Sequence, residues 1–365
     1  MLKICMVIST LKESGPVNVV YNIIKGCIES EIEFHIVSIS KEPTNNSVNR
    51  FLKLNVIYKN LELNRFNSIF KGRNALKKYL KINNINVIHF HGFRPNYLGS
   101  LFTKKYKTIT TIHNNPYEDY TSRYGKVLGQ IMNFLQDEFL KRIDKIVSVS
   151  KSNALLISAK TKREVVTIVN GIDTNKFKQL EESRKLIRNE LGLKAKDLLF
   201  VSVGHLSEIK NPLFIIDAFK KTKIKNIKLL FLGDGKLYKN CISRIENDDR
   251  IKLLGRKKNI IDYLSASDIF ISSSITEGMP NAVIEAMSCN NILLLSKIPS
   301  HIDILSKGNI GYSFSINNLN SLKEAITRVE RSRSEFKSKE IRDTAINNFD
   351  LTIMSKDYKR LYYEN

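Results

Sequence analysis

The sequence has few acidic residues for its length and contains no long uncharged apolar run. It has 36 Asp and Glu against 59 Lys and Arg, which gives a formal net charge of +23. No apolar segment approaches the ~20 residues that a transmembrane helix needs, so we expect no membrane span. The opening segment MLKICMVIS is too short for a secretory signal core and lacks a small-residue cleavage site, and we interpret it as a first β-strand.

Cysteine is also scarce, and the four cysteines lie far apart, at Cys5, Cys27, Cys241 and Cys289. Their spacing matches neither a disulfide framework nor a metal-binding pair. We therefore expect a protein of the reducing cytosol. Low-complexity tracts and short-period repeats are absent from the sequence as well, so a repeat fold is not indicated.

The basic excess has several interpretations that composition leaves open. It suits a protein that binds nucleic acid, an anionic membrane surface or a phosphorylated substrate. A basic surface in a chain rich in Lys, Ile and Asn explains the excess equally well without any charged partner. A basic nucleic-acid-binding protein without enzymatic activity is thus one alternative function.

Short β-branched segments alternate with longer amphipathic segments, and this alternation occurs twice along the chain. The first set of candidate strands is KICMVIS, FHIVSIS, NVIHFH, KTITTIH, KIVSVS and VVTIV, and the second set is LLFVSVG, IKLLFLG, IKLLG, DIFISSS, ILLLS and GYSFS. Nearly continuous apolar strands joined by helical patterns favour parallel sheets that are covered on both faces.

This pattern predicts an α/β fold with two Rossmann-like domains that face each other across a deep cleft. We place the first domain at residues 1–170 and the second at 171–349, with the division in the polar segment VNGIDTNKFKQLEESR. The last helix, at about residues 350–365, is expected to return to the first domain. Ligands of such sheets bind outside the carboxyl ends of the strands, so the loops there hold the candidate residues.

The loop VSVGHLSEIKNP bends at Gly204 and then presents His205 and Lys210 just before a predicted helix. A lysine at a helix N-terminus opposes the helix dipole unless an anion is bound there. The pattern indicates an anion site, although a solvated lysine in a charged loop also explains it. The next loop, in LLFLGDGKL, contains only part of a dinucleotide fingerprint, and a tight turn is its simplest interpretation.

The segment SSITEGMPNAVIEAMSCN, residues 273–290, predicts a helix with a carboxylate on either side of its start. We expect Asn281 to be the N-cap and the helix to run from about residue 282 to 287, with Pro280 fixing the approach of the chain. Glu277 precedes the helix, and Glu285 lies one turn inside it.

These two glutamates suit a polyhydroxylated anion. Amide N–H groups at the helix start take phosphate, the carboxylates take sugar hydroxyls, and Gly278 lets the backbone approach a ligand closely. The helix dipole alone explains Glu277 tolerably, but it does not explain Glu285 on an otherwise apolar helix.

The longer segment SDIFISSSITEGMPNAVIEAMSCNNILLLSKIP resembles the nucleotide-sugar signature of the retaining glycosyltransferases of family 4, which carries two glutamates at this separation. GHLSEIKN, FLGDG and VNGID are also similar to that family, as are SGPVNVVYNI and VIHFHGFRPNYLGS…TTIHNN in the first half. The resemblance spans about residues 4 to 362. It implies the GT-B fold, with an acceptor-binding first domain and a second domain that binds the nucleotide sugar.

The resemblance also implies roles for individual residues. Glu285 would bind the ribose hydroxyls, Glu277 would face the transferred sugar, and Lys210 would bind the diphosphate. Arg256 would lie near the base, and the backbone of residues 278–281 would hold phosphate and sugar oxygens. The implied donor-binding set comprises Gly15, Gly204, His205, Arg256, Gly278, Met279, Pro280, Asn281, Ala282 and Glu285.

This chain departs from the family pattern at two positions. His205 stands where the family usually has arginine, and a histidine is only partly protonated at neutral pH, so the diphosphate would depend mainly on Lys210. Asn290 stands where the family commonly has glycine. Asparagine tolerates the left-handed conformation, so we expect the turn to be kept.

Histidines mark the strand ends of the first half. His89 and His91 share one face of the strand NVIHFH, and we interpret His89 as a core residue. The resemblance implies that His113 lies near the transferred sugar, and we assign His91 and Arg94 to acceptor binding. A zinc site is an alternative, but no third ligand occurs at a suitable spacing.

The loop before the first helix is the remaining candidate. Gly15 and Pro16 predict a tight loop that opens a helix, with Pro16 at the first helical position. In the family that this chain resembles, the corresponding loop lines the cleft between donor and acceptor.

No Asp-x-Asp pair follows a strand in either half, so we expect a metal-independent reaction without a cofactor. We predict a retaining glycosyltransferase that moves a hexose from a nucleoside-diphosphate sugar to a hydroxyl of a glycan acceptor. UDP is the expected nucleotide and a lipid-linked glycan the expected acceptor, in capsule or lipopolysaccharide biosynthesis. The expected location is the cytoplasm, peripheral to an anionic membrane surface.

Two other classes of protein fit the sequence less well. A Rossmann-type oxidoreductase needs a complete glycine fingerprint after its first strand, and STLKESGP does not provide one. A nucleic-acid-binding protein explains the net charge, but the two glutamates would repel a phosphate backbone, so we expect no nucleic-acid partner.

Overall fold

The structure is a computed structural model that describes residues 1–28, 31–102 and 105–364. The chain forms two compact units. The first unit contains Met1–Gly171 together with the segment from Leu351 onward, and the second unit contains Ile172–Asp350.

Strands and helices alternate throughout the described residues. The strands are β1 (Leu2–Ile8), β2 (Ile32–Ser38), β3 (Ile57–Asn60), β4 (Val87–His91), β5 (Lys107–Ile112), β6 (Lys145–Ser148), β7 (Val165–Thr167), β8 (Leu198–Val203), β9 (Ile227–Leu232), β10 (Ile251–Leu253), β11 (Ile269–Ser272), β12 (Ile292–Ser296) and β13 (Gly311–Phe314). The helices are α1 (Gly15–Gly26), α2 (Val48–Leu52), α3 (Arg65–Phe70), α4 (Gly72–Ile82), α5 (Phe93–Gly99), α6 (Pro116–Tyr124), α7 (Lys126–Leu140), α8 (Lys151–Thr161), α9 (Glu181–Glu190), α10 (Pro212–Lys221), α11 (Tyr238–Ile245), α12 (Ile260–Ala266), α13 (Asn281–Ser288), α14 (Pro299–Leu305), α15 (Leu319–Ser332), α16 (Ser338–Phe349) and α17 (Leu351–Tyr363).

The first unit is built on a parallel sheet with strand order β3-β2-β1-β4-β5-β6-β7. β1 lies between β2 and β4, and Ile4 pairs with both Phe34 and Val87. Four successive β1 residues, Ile4 to Val7, are fully buried, so both faces of the sheet are covered. The prediction of a parallel sheet from continuous apolar strands is confirmed, because a strand with one wet face would alternate in polarity.

The second unit contains a parallel sheet with strand order β10-β9-β8-β11-β12-β13. β8 lies between β9 and β11, and Phe200 pairs with Leu229 on one side and Ile269 on the other. All twelve predicted strands are present in the two sheets. β3 was missed because it is a four-residue edge strand whose side chains are alternately exposed and half-buried.

The C-terminal helix α17 belongs to the first unit and packs against α1. A Cβ on Gly26 would lie 2.4 Å from Ser355 Oγ, so glycine allows the two helices to approach closely. Tyr358 and Tyr362 are buried in the same core as β1 and β4. The expectation that the last helix returns to the first domain is confirmed.

The start of α1 differs from the prediction. Gly15 is the first helical residue, with Ser14 extended before it, so Pro16 occupies the second position. Both positions lie in the first turn, where a missing N–H removes no hydrogen bond from the helix, and proline is tolerated at either.

Candidate functional site

The main candidate site lies at the carboxyl ends of β8 and β11 in the second unit. These strands are neighbours in the sheet although they are not consecutive in the chain. The chain leaves β8 towards β9 on one side, while β11 lies on the other side. In doubly wound sheets, ligands bind at such a switch point, because the loops diverge there and leave a crevice.

Lys210 and Glu277 occupy the loops after these two strands, and their side chains form an ion pair between Nζ and Oε1. Ser274 Oγ also donates a hydrogen bond to Glu277 Oε1, at 2.7 Å. The side chain of Glu277 is 13% exposed and that of Lys210 is 30% exposed. A half-exposed ammonium held against a nearly buried carboxylate leaves one charged group accessible to an anion.

The environment of Glu277 acts on its pKa in two opposing directions. Burial raises the pKa, while the Lys210 ammonium, His301 and the Ser274 hydroxyl lower it, and the net pKa lies below the ordinary value of 4.5. Glu277 is therefore ionised at neutral pH.

The two loops are tied together by hydrogen bonds from the strand end of β11. Ser273 Oγ donates to the carbonyls of Lys210 and Asn211, at 3.0 and 2.7 Å. Asn211 adopts a left-handed conformation, with φ 49°, directly before α10. These contacts fix the backbone from which the Lys210 side chain extends. Nothing in the sequence indicated these hydrogen bonds beyond the three serines that end an apolar strand.

The glycines of this region are explained by close approach of backbone. A Cβ on Gly233 would lie 1.8 Å from the Gly204 carbonyl oxygen, and a Cβ on Gly235 would lie 2.3 Å from the Leu206 carbonyl oxygen. The loops after β8 and β9 therefore pack against each other. Gly204 itself has φ 150° and lies under the Lys210 side chain, whose Cε would be 3.6 Å from an added Cβ.

Helix α13 begins one residue earlier than predicted. Asn281 is the first helical residue and Pro280 is the N-cap, so the prediction that Asn281 caps the helix is wrong. Pro280 supplies the extended conformation that a cap requires, with φ −80° and ψ 100°, and no side chain caps the helix. Gly278, Met279 and Pro280 are buried.

Glu285 lies in the second turn of α13 and is half-buried. Burial, together with the charge of Glu285, raises the pKa of Cys289 to about 12. Ala282 is half-buried on the same helix. Asn290, after the helix, has φ 68°, so the expected left-handed turn at this asparagine is confirmed.

His205 and Arg256 lie on exposed loops at the same edge of the sheet. The carbonyl of Gly255 accepts a hydrogen bond of 2.9 Å from the Gly233 N–H, which places Arg256 beside the loop after β9. The donor-side residues predicted in the second unit thus all follow β8, β10 or β11.

Sequence reasoning missed His301, a fully buried residue in α14. Its Nδ1 lies 3.0 Å from both the carbonyl and the hydroxyl oxygen of Ser296. Burial lowers the pKa of His301 to about 4, although the charge of Glu277 acts in the opposite direction. The residue is neutral at physiological pH. Nothing in the apolar segment around it distinguishes it from an ordinary core histidine.

In the first unit, the two predicted strand-end histidines are in contact. His91 ends β4, His113 follows β5, and His91 Nδ1 lies 3.0 Å from His113 Nε2. Burial lowers the pKa of His113 to about 4 and that of His91 well below its ordinary 6.5. Both rings are therefore neutral, and the pair shares one proton across the contact.

His89 is a core residue, as predicted. It is fully buried and its two ring nitrogens contact Tyr362 Oη at 2.9 Å and Thr111 Oγ1 at 2.8 Å. Burial lowers the pKa of His89 to about 3. The remaining ring nitrogens of the neighbouring pair, His91 Nε2 and His113 Nδ1, are buried without a hydrogen-bond partner in the part of the chain that the structure describes.

Arg94 and Gly15 lie at the carboxyl ends of β4 and β1, which are neighbours at the switch point of the first sheet. Arg94 donates a hydrogen bond of 2.8 Å to Ser40 Oγ, and burial together with the nearby Arg65 lowers its pKa. Gly15 is exposed, and an added Cβ would meet nothing within 4 Å.

Across residues 1–28, 31–102 and 105–364, no group of three or more His, Cys, Asp or Glu side chains is arranged to hold a metal ion. The zinc site considered from the two strand-end histidines has no ligand set there. The four cysteines are buried free thiols.

The sequence matches two family models that together cover most of the chain. Residues 14–176 match the model described as Glycosyltransferase Family 4. Residues 183–348 match the model described as Glycosyl transferases group 1.

The curated proteins and the solved structure that resemble this chain each match most of its length. The UDP-Gal:alpha-D-GlcNAc-diphosphoundecaprenol alpha-1,3-galactosyltransferase of Escherichia coli is 25% identical over 80% of this chain and 78% of its own length. The O-antigen biosynthesis glycosyltransferase WclY of Escherichia coli is 26% identical over 93% of this chain and 92% of its own length. The structure of Anabaena Alr3699/HepE in complex with UDP-glucose has the same fold, with a TM-score of 0.83, 15% identity and 99% of each chain covered.

Proposed function

Because this chain belongs to the glycosyltransferases, with a family 4 N-terminal half and a group 1 C-terminal half, we propose that it is a retaining, metal-independent hexosyltransferase. Its proposed donor is a UDP-sugar, and its proposed acceptor is a hydroxyl of a lipid-linked glycan. Two relatives support the donor, the acceptor and a role in surface polysaccharide biosynthesis, since their names specify UDP-Gal, diphosphoundecaprenol and O-antigen.

The observation that carries this proposal is the Lys210–Glu277 ion pair at the switch point of the second sheet. An ammonium beside the start of α10 suits a diphosphate, because the free N–H groups of the helix add to its attraction. A nearly buried carboxylate beside it suits the hydroxyls and the developing positive charge of a sugar. This combination of charges is what departure of a nucleoside diphosphate requires.

In the proposed reaction, the bond between the anomeric carbon and the diphosphate oxygen breaks while the acceptor oxygen bonds to that carbon on the same face. The proton of the acceptor hydroxyl passes to the departing phosphate oxygen, so no added base is needed. Lys210 neutralises the charge that develops on the diphosphate, and Glu277 orients and stabilises the sugar.

The other predicted residues keep their roles as part of this proposal. Glu285 binds the ribose, Arg256 lies near the base, and the backbone from Gly278 to Ala282 holds phosphate and sugar oxygens. Gly204 and His205 line the diphosphate site. For the first unit, we assign His113 to the transferred sugar, His91 and Arg94 to the acceptor, and Gly15 to the donor.

The proposed location is the cytoplasm, at the surface of an anionic membrane where lipid-linked acceptors are found. None of the helices in the described ranges combines the length and hydropathy needed to cross a bilayer. Family membership does not favour the alternative of a nucleic-acid-binding protein, and the glutamates of the site argue against it.

The proposal is tested by incubating the purified chain with UDP-, GDP-, ADP- and dTDP-linked hexoses and measuring slow donor hydrolysis. We expect nucleotide release from UDP donors, with the same rate in EDTA, and initial release of the sugar in the donor's own anomeric configuration by proton NMR. The exposed variant Glu324→Gln serves as a control and should match the wild type. Release of the opposite anomer contradicts retention, loss of activity in EDTA contradicts metal independence, and no release from any donor contradicts the proposal as a whole.

A further inference from the structure

Two helices of the first unit leave an unusually apolar surface uncovered. On α7 and the residue that ends α6, the exposed large hydrophobic side chains recur at helical spacing: Tyr124, Val127, Leu128, Ile131, Phe134 and Leu135. Val127 is 74% exposed and Phe134 is 65% exposed. Such positions share one side of a helix, so α7 has an apolar face without a partner in the described chain.

Helix α3 adds a second group of exposed apolar side chains, namely Phe66, Ile69 and Phe70. Tyr97 on α5 connects the two groups, because its hydroxyl donates to the Ile69 carbonyl at 3.3 Å and its ring lies 5.4 Å from that of Phe139 on α7. α3 and α7 thus both contact α5 through Tyr97. We call the exposed apolar residues of α3, α6 and α7 the apolar surface.

The α3 side of this surface is strongly basic, whereas α6 and α7 carry four acidic residues, Glu118, Asp119, Asp137 and Glu138, and two basic ones, Arg123 and Lys126. Between residues 61 and 82, which include α3 and α4, the chain has six basic residues and one acid, Glu62. The basic residues are Arg65, Lys71, Arg73, Lys77, Lys78 and Lys81. Soluble monomers rarely expose this many large apolar side chains on one helix face without a binding partner.

We propose that the apolar surface docks onto an anionic lipid bilayer, with α7 lying in the interface and the basic residues of α3 and α4 contacting lipid headgroups. An apolar surface bordered on its α3 side by cations matches a boundary between acyl chains and anionic headgroups. A second copy of this chain is a poorer partner, because the segment 61–82, α6 and α7 together have eight basic and five acidic residues, so two copies would bring like net charges together. The inference locates the membrane contact of the proposed function, but it depends only on the first unit.

The docking inference is tested by sedimenting the full chain with vesicles of phosphatidylcholine alone or with added phosphatidylglycerol. We expect strong binding only with phosphatidylglycerol, and at least a roughly tenfold loss in Val127→Ser/Phe134→Ser and in Lys71→Glu/Arg73→Glu. Leu155→Ser is the matched control, since Leu155 is 64% exposed on α8, outside the apolar surface.

Three results would overturn the docking inference. They are wild-type binding that is negligible on both vesicles, an equal loss in Leu155→Ser, and a concentration-dependent dimer in gel filtration that Val127→Ser/Phe134→Ser abolishes. Donor hydrolysis measured without vesicles reports separately on the proposed enzymatic function.

A different observation, the buried His301, carries a second inference. The Ser296 carbonyl can only accept a hydrogen bond, so the His301 Nδ1 at 3.0 Å must carry the proton. The Ser296 hydroxyl in turn donates to the Ser274 carbonyl at 2.6 Å, and Ser274 Oγ donates to Glu277. A continuous chain of contacts therefore joins His301 to the carboxylate of the site.

We infer that His301 is a positioning residue, which holds Glu277 through Ser296 and Ser274. Its Nε2 is buried and has no hydrogen-bond partner among residues 1–28, 31–102 and 105–364. A buried unpaired acceptor is unfavourable, and an apolar side chain would not incur this penalty. The hydrogen bond that the Nδ1 proton makes to Ser296 therefore explains why a histidine, and not an apolar residue, occupies this position. This inference rests on the proposed function, since it assigns Glu277 a role in transfer.

The test compares His301→Leu, which removes the Nδ1 donor, with His301→Asn, whose amide nitrogen replaces it. We expect kcat of His301→Leu to fall about tenfold with KM nearly unchanged, and His301→Asn to recover most of the loss. In a Glu277→Gln background, His301→Leu should have little further effect, because the two changes act on one group.

Two results would show that His301 does not act through Glu277. One is additive losses in the double variant. The other is a failure of His301→Asn to recover activity although its melting temperature matches that of the wild type. Absence of transfer in the wild type would instead contradict the proposed function.

Discussion

Replacement of Glu277 by glutamine is expected to lower the rate of sugar transfer by about 10²-fold while UDP affinity changes by less than about threefold. Glutamine has nearly the same shape and can still accept the hydrogen bond from Ser274. It lacks the negative charge that the wild-type residue keeps at neutral pH, since the Lys210 ammonium holds the pKa of this buried carboxyl below 4.5. The charge opposes the positive charge that develops on the sugar, so its loss affects the transition state more than ground-state binding.

The measurement is kcat and KM for transfer or donor hydrolysis, together with the UDP dissociation constant by calorimetry. Glu324→Gln makes the same chemical change on the exposed surface of the second unit and should leave all three values unchanged. Transfer by Glu277→Gln at the wild-type rate would remove Glu277 from the reaction. A parallel loss of UDP affinity would assign it to nucleotide binding instead.

The strands were predictable because burial of both sheet faces imposes a composition that is easily recognised. Ile4 to Val7 in β1 and Ile269 to Ile271 in β11 are fully buried, and such positions strongly favour apolar residues. β3 escaped prediction because an edge strand with exposed Ile57 and Lys59 lacks that signal. Its place in the sheet depends on pairing with β2, which no local pattern specifies.

The pairing of Lys210 with Glu277 was only half predictable. Topology alone places the loops after β8 and β11 side by side, so residues following both strands were expected near one ligand. The contact between the Lys210 and Glu277 side chains depends on Ser273, which follows the neighbouring strand β11 and donates a hydrogen bond to the Lys210 carbonyl. The hydrogen-bond chain to His301 is still less visible in the sequence, because it passes through Ser296 at the end of a third strand.

The core role of His89 was predictable from its face of the strand, but its partners were not. Tyr362 contacts His89 from 273 positions away along the chain, on a helix whose own pattern showed only that one side is apolar. Sequence periodicity specifies which face of an element is buried. It carries no information about which distant element covers that face.

Replacement of Lys210 by methionine is expected to lower kcat/KM by about 10²- to 10³-fold, with a large share of the loss in donor affinity. Methionine keeps most of the apolar stem that lies over Gly204 but lacks the ammonium that neutralises the diphosphate. Lys239→Met on the exposed surface of α11 is the matched control, and it should have wild-type kinetics. Wild-type donor affinity in Lys210→Met would exclude the assigned contact.

The same variant should also change how stability depends on pH. In the wild type the pKa of Glu277 lies below 4.5, so its ionisation stabilises the fold above the pKa of the unfolded chain, and this stabilisation is lost as pH falls through the folded value. Without the ammonium, burial is the dominant influence and raises the pKa above 4.5. An ionised Glu277 then destabilises the fold as pH rises through that higher value.

The melting temperature of Lys210→Met should therefore approach the wild-type value in acid and fall below it towards neutral pH. A difference of about 2 kcal/mol at neutral pH is expected, less than for a fully buried pair because Lys210 is 30% exposed. Adding Glu277→Gln to Lys210→Met should restore the melting temperature, because no buried charge then lacks a partner, while activity stays lost. Recovery of neither stability nor pH dependence in this double variant would mean that the ion pair does not determine the charge state of Glu277.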